Sequence, residues 1–117
     1  MSSYGNVPEH DVDAMKSAIA SSHKVALQVS GVPAGWITMA YEAVLNGILM
    51  DWVENGTTGL SEQDEEDVLN LLRMSAELAS AQPEHLRDTT FRILANCAMH
   101  DWVQNWNADE DGDDEED

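Results

Sequence analysis

A chain of 117 residues has room for one hydrophobic core, and a hydrophobic content of 43% is that of an ordinary globular domain. Its charge is not ordinary: 23 Asp and Glu against five Lys and Arg leave −18 with a pI near 4.1, a field that repels nucleic acid and anionic membranes and makes direct nucleic-acid binding the least expected activity. The single cysteine, Cys97, excludes an internal disulfide framework and a four-cysteine metal site.

Residues 1–10, with Gly5 and Pro8 and no apolar period, read as a flexible leader. From Asp11 a helical pattern begins, with Asp11 and Asp13 where acids favour a helix N-terminus. Met15, Ala18, Ile19, Ser22, Val25, Ala26 and Val29 then form one stripe at spacings of three and four, and Gly31 stops it. Pro33 suits the first turn of a second helix, from about Ala34 to Glu54, because its missing N–H has no partner to lose there. That helix is apolar on nearly every side except the strip Thr38, Glu42, Asn46, so it is expected inside a bundle. Asn55, Gly56 and Gly59 end it.

Ser61 followed by Asp64 predicts a capping box for a third helix, whose apolar stripe is Val68, Leu71, Leu72, Ser75, Leu78 and Ala79. Pro83 opens a fourth helix to about Trp106, with the polar strip Asp88, Arg92, Asn96, His100. Residues 107–117 form an acidic tail: Asp109, Glu110, Asp111, Asp113, Asp114, Glu115, Glu116 and Asp117. Such a block cannot bury enough apolar surface to fold alone, so it is expected to be disordered. Without it, 15 acids still face five bases.

One pattern organises the chain. Tyr41 to Asn55 aligns without a gap on Phe91 to Asn105, sharing Asn, Asp-Trp-Val and a final Asn, and the same register pairs Pro33 with Pro83. A period of fifty residues predicts two tandem helical hairpins, 11–56 and 61–106. With their second helices packed face to face they make an all-α four-helix bundle with approximate internal two-fold symmetry, a single domain over 11–106.

The duplicated residues Asn46, Asp51, Trp52, Asn96, Asp101 and Trp102 admit two readings: a symmetric partner-binding face anchored by the indoles, or a repeated core. The core reading is preferred, with the two Asn side chains bonded across the central helices, the Asp bonded to backbone or to Arg87 or Arg92, and the Trp filling the interior. Asn107-x-Asp109-x-Asp111-Gly112 opens like an EF-hand loop, but the chain ends at the eleventh place, before the bidentate Glu. Cys97 and His100, three apart, supply only two ligands. No metal, no cofactor and no catalytic residue is assigned, because nucleophile elbow, phosphate loop and zinc-protease patterns are all missing. The chain is read as a non-enzyme.

Acidity carries the functional expectation. Carboxylates three or four apart on a helix stand about 5–6 Å from one another, a spacing comparable to that of phosphates along one DNA strand. Asp11, Asp13, Glu62, Asp64, Glu65, Glu66, Asp67, Glu77, Glu84, Asp88 and the eight tail acids are therefore the candidate partner-binding face. In size and charge the chain resembles small acidic proteins, often phage-encoded, that block restriction, CRISPR or other DNA-handling enzymes by imitating DNA. The resemblance implies an inhibitor occupying the basic nucleic-acid-binding surface of a bacterial protein. Three alternatives stay open: acidity that serves only solubility or adaptation to a salty cytoplasm, a helical structural or assembly module forming a homodimer through Trp and Met surface, and an acidic immunity-type regulator neutralising a basic toxin or nuclease. With no basic-then-apolar leader and no run of eighteen apolar residues, the expected location is the cytoplasm, the host's if phage-encoded.

Overall fold

Four helices account for most of the chain in a computed structural model that describes residues 9–57 and 60–107. Among these residues there is no strand, so the all-helical class stands. The leader residues 1–8 and the tail residues 108–117 lie outside the described residues.

Helix α1 spans Glu9–Gln28, starting two residues before the expected Asp11. It buries Val12, Ala14, Ala18, Ser22, Val25 and Ala26, while Met15 and Ile19, both in the expected stripe, stay largely exposed. The stripe is wider than the neighbouring helices cover. Ser22 keeps its buried hydroxyl satisfied by donating to the Ala18 carbonyl at 2.7 Å. Gly31 then turns the chain at φ 80°, in the left-handed region that a side chain penalises.

The second helix does not begin as an α-helix. Pro33, at its natural φ of −55°, caps a 3-10 turn over Ala34–Trp36, closed by Trp36 N–H donating to the Pro33 carbonyl at 2.9 Å. Proline thus precedes the first turn rather than lying within it. Helix α2 follows over Ile37–Asn55 and stops at Gly56, whose N–H still donates to the Trp52 carbonyl while its φ of 77° turns the chain out of the helix.

Helix α3, Glu62–Ser80, opens on the expected capping box. The Ser61 hydroxyl accepts from Asp64 N–H at 3.1 Å, and the Asp64 carboxylate accepts from Ser61 N–H at 3.2 Å. Helix α4, Glu84–Asp101, starts after Pro83 in the manner of its counterpart, with Leu86 N–H donating to the Pro83 carbonyl at 2.8 Å. A π-helical segment over Trp102–Asn107 replaces the expected continuous helix.

The first hairpin packs α1 on α2 and the second packs α3 on α4, and the two are joined chiefly by α2 against α4. Trp36 stacks on Phe91 with ring centroids 4.7 Å apart, Gly47 lies against Met99, and Gln104 donates to Glu54. These contacts advance together along both segments, so α2 and α4 run parallel. A Cβ on Gly47 would stand 2.5 Å from the Met99 Cε and 3.1 Å from its Cβ, so a larger residue there requires Met99 to shift. Lys24 to Glu65, at 3.2 Å, ties α1 to α3. Phe91, Trp102, Ile48, Leu72 and Met99 are the largest fully buried apolar side chains of the shared core, and Trp36 joins them almost fully buried.

Candidate interaction surfaces

The duplicated motif builds the same local bond twice. Asn55 donates to the Asp51 carboxylate at 2.7 Å, and Asn105 donates to that of Asp101, each one helical turn back. Beyond that turn the copies diverge. Asp51 is buried and Asp101 exposed; Trp52 is half-buried and Trp102 buried; Val53 is 74% exposed and Val103 1%. Of the six residues expected in a repeated core, Asn46 and Asp101 therefore lie at the surface.

The divergence follows a rule. The first helices keep the fifty-residue register, with Ala18 and Val68, Ser22 and Leu72, Val25 and Ser75, and Ala26 and Ala76 all buried. The second helices do not. Ala40, Val44, Ile48 and Asp51 of α2 are matched in the interior by Phe91, Ala95, Met99 and Trp102, each fifty-one residues on. One residue is 100° of helical rotation. Helix α2 and the 3-10 turn before it thus meet α4 through the Trp36 and Gly47 side, whereas α4 meets them through its Phe91 and Met99 side. Two-fold packing requires the same side from both. The expected Asn46 to Asn96 bond does not form for this reason: Asn46 faces solvent, and Asn96 donates to its own helix at the Arg92 carbonyl, 2.8 Å. Nor does either arginine reach the duplicated Asp; Arg87 donates to the Gln82 carbonyl at 2.7 Å.

The candidate acids divide by what they already do. Asp64 belongs to the capping box, Glu65 is paired with Lys24, and Asp67 accepts from Gln63 at 3.0 Å. Asp88 accepts the Trp36 indole N–H at 2.7 Å across 52 residues of sequence, and Asp11 lies 3.1 Å from His10. Asp13, Glu62, Glu66, Glu77 and Glu84 are exposed. Three of the acids converge: Glu62, Glu65 and Glu66 line, with Gln28 and Leu69, a hollow of about 300 Å³ where the end of α1 passes the start of α3. Glu77 instead lines a hollow of about 420 Å³ that it shares with Arg73, so that site is of mixed charge. Asp109 to Asp117 are outside the described residues.

Sequence reasoning missed an apolar surface. Leu71, Met74, Ser75 and Leu78 of α3 and Leu94, Cys97 and Ala98 of α4 line an open groove of about 270 Å³, with Ile93 52% exposed on the same helix. The signal was present in α3, where Met74 and Leu78 widen the apolar stripe past what one neighbour covers. Cys97 and His100 are both exposed, and no cluster of three or more His, Cys, Asp or Glu suited to a metal occurs among the described residues. No buried side-chain polar atom among them lacks a partner, so the described interior offers no unsatisfied group to a ligand. No described helix is long and apolar enough to cross a membrane. Comparison with protein-family models, with curated proteins and with solved structures finds no match to this chain.

Proposed function

We propose that the protein is a non-enzymatic acidic binding protein that occupies the basic nucleic-acid-binding surface of another protein. The observation that carries this reading is the start of α3, where Glu62, Glu65 and Glu66 surround one hollow and Asp64 and Asp67 flank them. Within the chain Lys24 reaches this surface and pairs with Glu65 at 3.2 Å, while Glu62 and Glu66 stay exposed. Arg73 donates to Asn70 at 2.9 Å and Arg87 to a backbone carbonyl, so neither cation is drawn to that cluster. A net charge of −18 steers a basic partner inward and makes its association fall steeply with salt. The architecture proposed beneath this surface is a four-helix bundle of two tandem hairpins that are copies of one unit. The matched Pro33 and Pro83 turns and the matched Asp-to-Asn bonds support it.

The test is capture of nucleic-acid-binding proteins from bacterial lysate at low salt by the native chain and by Glu62→Gln/Glu66→Gln. Both residues are exposed, so the variant is expected to keep its helicity and lose most of its capture. Recovery of no nucleic-acid-binding protein, or equal recovery by the variant, sinks the reading.

A further inference from the structure

Each hairpin carries two different sides, and the contact between the hairpins uses one of each. The first hairpin contributes what we term its forward side, where Trp36 and Gly47 lie against the second hairpin. The second contributes its rear side, with Phe91 and Met99. A contact between unlike sides leaves one of each over. The spare forward side is on the second hairpin: Leu86 and Cys97 stand where Trp36 and Gly47 stand in the first, Leu86 and Ile93 are exposed on α4, and the exposed Cys97 lines the apolar groove. The spare rear side is on the first hairpin, where Tyr41, Leu49 and Trp52 are half-buried and Val53 is exposed, although their counterparts Phe91, Met99, Trp102 and Val103 are all buried.

We propose that a second copy of this chain covers the groove, setting its first hairpin on the second hairpin of its neighbour and so repeating between molecules the contact already made within one. The occupant follows from the internal packing, since among the described residues the surface that seats a forward side is a rear side. The substitutions are compatible in size. Where Met99 reaches over Gly47, the intermolecular pair is the shorter Leu49 over the larger Cys97; where Trp36 stacks on Phe91, it is Leu86 on Tyr41. Such a contact joins head to tail, so it grows into chains or closes into rings rather than stopping at a two-fold dimer. It is independent of the acidic-surface reading and opposite to it in salt response. Copies carrying −18 each repel, and screening at high ionic strength, where the Debye length is about 3 Å at 1 M, strengthens apolar association and weakens charge capture.

Sedimentation velocity at high salt over a range of concentrations tests the proposal, with Val53→Glu on the rear side and Ile93→Glu on the forward side. The native chain is expected to rise in mass with concentration beyond twice its 12.9 kDa monomer. Each variant alone is expected to stay monomeric, and an equimolar mixture to form a dimer and nothing larger, because each retains the side the other has lost. A reaction of Cys97 with maleimide that slows as native concentration rises supports the same contact without any substitution. A native chain that stays monomeric with a concentration-independent Cys97 rate, a mixture that does not dimerise, or either variant associating alone overturns it.

Discussion

Val53 and Val103 occupy matching places in an Asp-Trp-Val-x-Asn repeat, yet one is 74% exposed and the other 1%. Replacing each by alanine isolates what the fold does with an identical residue. Removing two buried carbons from Val103 forfeits about 1.6 kcal/mol of transfer free energy, at about 0.8 kcal/mol per methylene. The cavity left between α2 and the π-helical segment raises the loss to about 2–3 kcal/mol. Val53→Ala removes atoms already in water and gains slightly in helix propensity, so its effect stays within about 0.5 kcal/mol. In urea, with a slope of about 1.5 kcal/mol/M for a chain of this size, Val103→Ala lowers the midpoint by about 1.5 M and Val53→Ala leaves it almost unmoved. The slope itself should be unchanged in both. Similar losses from the two variants would show that both valines share one environment, and the unlike-sided packing of α2 and α4 would then be wrong.

Other substitutions report on separate parts of the fold. Gly47→Val places branched carbons against Met99 and is expected to cost about 1–3 kcal/mol; Gly35→Ala, with nothing within 4 Å of the added carbon, is expected to be neutral or to stabilise by about 0.4–1 kcal/mol. Thermal melts of the pair should move in opposite directions or in one only, and equal destabilisation would refute the close approach. Phe91→Ala removes a fully buried ring stacked on Trp36 and should cost about 3–5 kcal/mol, measured by urea unfolding. Asp88→Ala deprives the Trp36 indole of its acceptor at a cost of about 1 kcal/mol, with a change in tryptophan emission that Glu84→Ala does not produce. Ser61→Ala breaks the α3 capping box and should cost about 1 kcal/mol, read as a lower melting temperature by circular dichroism.

Much of the helical plan was legible because it depends on neighbours along the chain. The capping box at Ser61 and Asp64, the left-handed stop at Gly56 and the proline-led turns at Pro33 and Pro83 are each decided within four residues. The same holds for the two Asp-to-Asn bonds, which recur wherever the spacing recurs. Rotation of one helix against another has no such local signature. A shift of one residue in register left Asn46 and Asp101 in water and Asp51 and Trp102 inside, although the motif around them repeats. The bond from Trp36 to Asp88 was hidden for a related reason: two side chains 52 residues apart carry no mark of meeting.

Helix number, order, the stop at Gly56, the start at Ser61 and the excess of carboxylates were set by the sequence itself, because hydrogen bonds and charges one turn apart need no tertiary partner. Which copy of a repeated residue is buried, which acids converge on one hollow and which apolar side is left open were decided only in the folded chain. There α2 and α4 present unlike sides to each other, so identical residues acquire different surroundings.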